Sequence, residues 1–283
     1  MINWLLEKDI FRENLDPLKK EIIDQGMTYT TCDYIPFEGG IAFEGNPPDL
    51  DKPNFAYGSI QLLKYIKRKH PKVYTFCKFP KYRCVYYYSY FGPNLLQQEY
   101  TILPYQELKR KKWKLFQRYG ESQCLFVRPD DGEKSFNGQV VSFDTWDRDL
   151  QNIELYDLNP DTLCVVATPQ NIYQEWRFLV GSEFPFEESP LSIISQSCYS
   201  TNGKITENPD DQVDVEVFNF VQSIIENTKY RPDPVWVIDV GLTKNGLSII
   251  EVGASSCCGL YGCSVKNFVE FVKEYFQEEL LAI

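Results

Sequence analysis

The chain has one histidine, His70, among its 283 residues. Catalysis by a Ser/His or Cys/His pair therefore has a single candidate base. That residue sits in the basic run KRKHP, which reads as a solvated helix end. Paired CxxC spacing is also missing. The nine cysteines are scattered, which excludes a zinc ribbon and argues against a disulfide framework. No apolar run approaches the roughly 18 residues that a bilayer-spanning helix needs. The opening MINWLLEKDIFREN lacks the charged and apolar regions of a secretion signal. A reducing cytoplasm without a membrane partner is the expectation. Positive charge is scarce as well: the formal net charge is -11, so nucleic acid is an unfavoured partner for the surface as a whole. A local basic pocket for a nucleotide is compatible with that balance.

What is present is enough for a folded protein. A composition 43% hydrophobic and 24% charged is that of a globular chain, and the length allows one large or two modest domains.

The most informative stretch is VWVIDVGLTKNGLSIIEVG, residues 235–253. Two β-branched runs flank the turn signal LTKNG, so the unit reads as a β-hairpin. Its register sets the chemistry. A two-residue turn at Asn245 and Gly246 would put Asp239 and Glu251 on opposite faces of the sheet. A three-residue loop, Lys244 to Gly246 with Gly246 in the left-handed region, puts them opposite each other on one face. Two carboxylates so placed amid apolar neighbours require compensating charge. A divalent cation is one solution, and oxygen ligands without His or Cys suit Mg²⁺. An Arg or Lys from a neighbouring strand is the other. The plainest alternative is an edge hairpin whose acids face solvent.

Elsewhere the pattern gives β, α, β at the start: Asn3 to Glu7, then LDPLKKEIIDQG, then MTYTTCDYI, a small α/β layer. GSIQLLKYIKRK reads as an amphipathic helix with Ser59 near its start. The aromatic run RCVYYYSY is of a kind favoured in strands and is expected to pack in a core or subunit contact; base stacking is the rival use. A domain boundary is placed at about residue 93. LPYQELKRKKWKLFQRYG is a helix with a solvated basic face. CLFVRP then delivers Arg128, a flexible Asp/Gly loop carries Lys134, and QVVSF leads away, an arrangement that could fold two cations over phosphates. LCVVATP is a short strand broken at Pro169, whose free edge suits a flat heterocycle. In QEWRFLVG, Glu175 and Arg177 share one face and Trp176 and Phe178 the other. The last helix, SVKNFVEFVKEYFQEELLAI, carries an apolar stripe of Phe268, Val269, Val272 and Phe276.

Taken in order, FVRP with KSFNG, EWRFLV, VIDVG and IIEVG resemble the ATP-grasp fold, in particular the RimK-like ligases and their phage and bacterial relatives. The resemblance covers roughly Leu96 to Gly262. It implies an α+β fold: an ATP-grasp domain over residues 94–283, two α+β subdomains clasping ATP, after a small α/β pre-ATP-grasp domain over residues 1–93. It implies that Arg128 and Lys134 hold ATP phosphates, and that Val165, Val166 and Ala167 line the adenine edge. Glu175 and Arg177 would then match an acidic-x-Arg motif facing phosphate or acyl-phosphate. Lys134 and Arg177 become the catalytic cations, and Asp239 and Glu251 the Mg²⁺ ligands. The position of the usual third ligand, an Asn, is Gly253. Cys257, Cys258 and Cys263 read as small side chains in a tight turn. The activity implied is ATP- and Mg²⁺-dependent ligation of a carboxylate to an amine through an acyl-phosphate, on small-molecule, peptide or protein substrates. EWRFLV followed by SIISQ also looks like eukaryotic ATP-grasp assembly factors for a translation initiation complex, which implies the rival reading of nucleotide binding without ligation.

Overall fold

The structure, a computed structural model, describes residues 2–36, 40–156, 158–206 and 214–282. In chain order, β1 (Asn3–Glu7), α1 (Arg12–Asp24), β2 (Thr28–Ile35), β3 (Gly40–Phe43), β4 (Asn54–Tyr57), α2 (Ile60–Lys69) and α3 (Cys84–Phe91) come first. They are followed by β5 (Tyr100–Pro104), α4 (Tyr105–Tyr119), β6 (Cys124–Pro129), β7 (Gln139–Ser142), α5 (Trp146–Glu154) and β8 (Leu163–Ala167). The chain closes with β9 (Gln174–Ser182), β10 (Leu191–Thr201), β11 (Lys204–Ile205), α6 (Val215–Asn227), β12 (Val235–Thr243), β13 (Gly246–Ala254) and α7 (Val265–Leu281).

Two compact units result, and neither is continuous in sequence. The first combines Met1–Lys78, Gln174–Val240 and Val252–Ile283; the second combines Phe79–Tyr173 and Gly241–Glu251.

In the first unit a four-stranded sheet runs β3-β2-β1-β4. Strand β1 is parallel to both β2 and β4, the α/β start expected from the pattern. Alternate residues of β1, Trp4 and Leu6, meet Leu18 and Ile22 of α1 and the α7 stripe of Phe268, Val269, Val272 and Phe276 in one core. All four stripe residues are fully buried, and each such side chain contributes about 1.5 to 3 kcal/mol of transfer free energy. Helix α2 begins where Ser59 accepts a hydrogen bond from the Leu62 N–H at 3.1 Å, the N-cap that its sequence predicts. Strand β9 lies between β10 and β12 in the sheet ordered β11-β10-β9-β12-β13. From Trp176 to Ser182 every residue of β9 is buried, so it is an interior strand.

In the second unit the sheet order is β5-β8-β6-β7, with antiparallel pairing throughout. One face packs on α4 and α5 through Leu108, Leu115, Trp146 and Leu150, with Leu125, Val127 and Val166 from the sheet. The aromatic run forms a helix, α3, where β propensity favoured a strand. Periodicity decided it: Cys84, Tyr87, Tyr88 and Phe91 are buried while Val85, Tyr86 and Tyr90 are exposed, a helical face of spacing 3, 1 and 3. Its first turn is capped from a distance. Asp130, just after β6, accepts from the Val85 N–H at 2.7 Å and from Arg83 Nε at 2.8 Å. Among the described residues no helix is long and apolar enough to cross a membrane.

Candidate functional site

The second unit holds a cluster of one carboxylate and two cations. Arg128 is on β6, directly opposite Val165 of β8, and cross-strand partners share a face. Val165 and Ala167 therefore line the same face as Arg128, while Val166 points into the helix-side core. Arg128 Nη2 donates to Glu251 Oε2 at 2.9 Å, and Lys134 Nζ donates to Glu251 Oε1 at 3.1 Å. Both oxygens of Glu251 thus face a cation. Buried Cys84, Tyr87 and Tyr88 of α3 flank Arg128. Burial pulls the Arg128 pKa down, but these neighbours and Glu251 more than offset it, so the net direction is upward.

The loop that delivers Lys134 is pinned at two points. Ser135 gives Asp131 its N–H at 3.1 Å and its hydroxyl at 2.6 Å, and Phe136 is buried in the unit's core. Inside the turn that the Asp131–Ser135 contacts close, Lys134 has φ +49°, a left-handed conformation that side chains adopt at a cost. Lys134 is half exposed and Arg128 is not, their side chains being 52% and 13% accessible.

The hairpin turn contains the feature its sequence required. Gly246 has φ +100°, and Thr243 Oγ1 accepts from the Asn245 N–H at 3.1 Å and donates to the Gly246 carbonyl at 3.3 Å.

Asp239 belongs to the first unit, and there its compensation is an arginine. Arg177 grips it with two bonds, Nε to Oδ1 at 2.8 Å and Nη2 to Oδ2 at 2.6 Å. The third nitrogen, Nη1, donates to the Gly259 carbonyl at 2.6 Å. Arg177 is further covered by Tyr261, whose ring centroid is 4.5 Å from Cζ, and Tyr261 stacks on Tyr199 at 4.9 Å. Burial lowers the Arg177 pKa, but the Asp239 carboxylate outweighs this and holds the guanidinium charged. Glu175 accepts from the Tyr199 hydroxyl at 3.0 Å. Cys263 is buried, which pushes its thiol up to about 12, an inert thiol and not a nucleophile.

These donor sets fit a nucleotide and a metal unequally. Arg128 and Lys134 are the cations that phosphate oxygens take. Glu251 suits Mg²⁺ as one carboxylate, the number that ion often uses beside phosphate oxygens and water. Asp239, 2% exposed with both oxygens on Arg177, presents no free oxygen in this arrangement. Gly253 has no side chain to supply one, and a Cβ there would lie 3.0 Å from Val237 Cγ2. Among the described residues no group of three or more His, Cys, Asp or Glu side chains is placed to hold an ion.

Sequence reasoning missed Asp130, the cap of α3, and Tyr199 and Tyr261, the tyrosines beside Arg177; these come together only through the fold.

Three comparisons bear on the family. No curated protein matches the sequence. Among solved structures the chain is similar to D-alanyl-alanine synthetase A from Vibrio cholerae, with TM-score 0.65 and 13% identity over 99% of this chain and 98% of that one. D-cycloserine synthetase DcsG gives TM-score 0.63 at 13% identity over 97% and 99%. A RimK domain ATP-grasp protein from Sphaerobacter thermophilus gives 0.61 at 11% over 96% and 99%. At these identities the likeness establishes the fold, an ATP-grasp fold of α+β type with an N-terminal α/β sheet. The family model of the ATP-grasp domain, family 2 of the R-two-K clade, matches residues 104–271. That stretch is more than half of the chain, and the protein belongs to the R-two-K clade of the ATP-grasp superfamily.

Proposed function

We propose that the protein is an ATP-dependent ligase that joins a carboxylate to an amine through an acyl-phosphate. The observation that carries this reading is the cluster of Arg128 and Lys134 on Glu251. Two cations already converge on one pair of anionic oxygens, and phosphate oxygens of a nucleotide offer the same charge and geometry. Arg128 is fixed on a strand and orients the phosphates; Lys134, on the pinned loop, follows charge as the outer phosphoryl group moves. Val165 and Ala167 give the base an apolar wall, and Val166 supports it only through its backbone. Mg²⁺, when bound, would neutralise phosphate charge and polarise the transferred group; Glu251 would be its carboxylate, with Asp239 available only on release from Arg177. Arg177 positions the turn at Gly259 and reaches an acyl-phosphate by exchanging Asp239 for it; Glu175, through Tyr199, orders the same region. Residues 1–93 serve as the pre-ATP-grasp domain in this reading, and the setting is cytoplasmic. The acceptor is a small molecule, a peptide or a protein.

A second reading is nucleotide binding that shapes a surface without making a bond, as in an assembly factor. It is favoured by one specific observation, that both oxygens of Asp239 are engaged by Arg177. Release of ADP from purified protein, measured with panels of amino acids and peptides, separates the two. Turnover dependent on an added acid and amine, lost in Arg128→Met, supports the ligase. ATP binding without release under every combination supports the second reading.

A further inference from the structure

The basic run on α4 has no part in the site described above. The helix carries Lys109, Arg110, Lys111, Lys112, Lys114 and Arg118 with a single acid, Glu107. That is six of the chain's 29 basic residues and one of its 40 acids. In the middle of the run stands Trp113, 75% exposed, whereas Trp4, Trp146, Trp176 and Trp236 are buried. The helix turns Leu108, Leu115 and Tyr119 to the core. Trp113 lies on the outward face, three and four positions from Arg110 and Lys109, the spacing at which helical side chains are neighbours.

The indole is held in place. Its ring meets the Phe143 ring edge to face at 4.8 Å, and Phe116 meets the same ring at 5.0 Å. Lys112 Nζ lies 4.2 Å from the Phe143 centroid, and the Phe143 N–H donates to the Gln123 carbonyl at 2.9 Å. The aromatic platform is therefore anchored while one side of Trp113 stays open. The cations beside it are loosely committed. Lys109 pairs with Glu154 and Arg110 with Glu107 on the exposed surface, and such pairs contribute little to stability. A carboxylate from another molecule can take either cation at small cost.

Charge says what covers this face. An open ring framed by cations suits a partner that brings carboxylates together with an apolar side chain. The extent of that partner is limited. The 15 residues of α4 span about 22 Å, and exposed charges act over only about 8 Å at physiological ionic strength. Outside α4 the chain has 23 basic residues against 39 acids. An extended polyanion, such as a nucleic acid strand or an anionic bilayer, would run off the helix into repulsion. A short acidic segment stays within the positive field.

We propose that the outward face of α4 docks a short acidic segment of a partner protein, with carboxylates on Arg110 and Lys114 and an aromatic or aliphatic side chain on Trp113. Helix α4 packs on the face of its sheet that carries Leu125, Val127 and Val166, opposite the face of Arg128 and Val165. The segment is thus held apart from the phosphate-binding cations and anchors its protein without touching reacting atoms. Docking there needs no bound nucleotide.

The experiment titrates the full chain against fluorescein-labelled peptides rich in Glu and Asp, each with one central Phe, Leu or Ser, and reads anisotropy. Acrylamide quenching of tryptophan fluorescence gives a second readout, because Trp113 is the exposed tryptophan. The Phe and Leu peptides are expected to bind more tightly than the Ser peptides and to shield Trp113 from the quencher. Affinity should fall about tenfold in Trp113→Ala and about tenfold or more in Arg110→Glu with Lys114→Glu. Both variants should melt with the wild type, since the altered side chains are exposed. Wild-type protein that binds no acidic peptide, or binds the Ser peptides as well as the others, overturns the assignment without recourse to a variant. Equal binding by wild type and both variants overturns it too. A single-stranded oligonucleotide or phosphatidylserine vesicles that bind more tightly than every peptide, and less tightly to the same variants, give the face to a polyanion and overturn it. Self-association in sedimentation that Trp113→Ala abolishes gives the face to a second copy of the chain, with the same consequence.

Discussion

Asp239→Asn tests the site most sharply, because its two roles predict different outcomes. As a metal ligand, Asp239 would lose Mg²⁺-dependent turnover on substitution and leave the fold intact. As the counter-charge of Arg177, with side chains 2% and 7% exposed, its neutralisation strands a buried guanidinium. Removing one member of a buried, hydrogen-bonded pair costs about 3 to 5 kcal/mol. For a chain of this size each kcal/mol lowers the melting temperature by roughly 2 to 4 °C, so the expected fall is about 6 to 20 °C. Thermal melting by circular dichroism, without ligands, reads it directly. The double variant Arg177→Met with Asp239→Leu should recover most of the loss, since an apolar pair of similar volume is well tolerated in such a place. A single variant that melts within about 2 °C of the wild type would refute the reasoning. Its carboxylate would then contribute little through Arg177, and the metal role would regain its claim.

Further expectations concern the second cluster and the hairpin. Lys134→Met should weaken ATP binding about tenfold or more by calorimetry while changing stability by under about 1 kcal/mol, because the half-exposed ion pair is solvent-screened. Glu251→Gln removes the negative charge that Arg128 and Lys134 both contact, so ATP should bind more tightly than to the wild type in EDTA and more weakly in Mg²⁺. Equal shifts in the two conditions would remove Glu251 from metal binding. Gly253→Asn, which restores the oxygen at that position, should cost about 1 to 3 kcal/mol in urea unfolding through contact with Val237. A gain in Mg²⁺ affinity is expected only when Val237→Ala is added to make room.

Much of this arrangement was legible where local pattern and tertiary structure agree. The hairpin strands, the positive φ at Gly246, the Ser59 cap and the α7 stripe all follow from residues within a few positions of one another. The run RCVYYYSY was not, because single-residue preference for a strand opposed a helical burial pattern, and the cap that favours the helix lies in sequence at Asp130. The compensation of Asp239 was open in the sequence between a metal and a neighbouring cation; only strand order, with β9 beside β12, puts Arg177 on it.

The second unit draws its last piece, Gly241–Glu251, from a segment far along the chain. A ribosome releases residues 79–173 before that piece emerges, so Arg128 is synthesised well ahead of Glu251, the acid it pairs with in the folded protein. Chains cut before residue 241 should expose this debt as a half-formed, aggregation-prone module. Sites for permutation or fusion are best sought elsewhere than in the connection between Val240 and Val252.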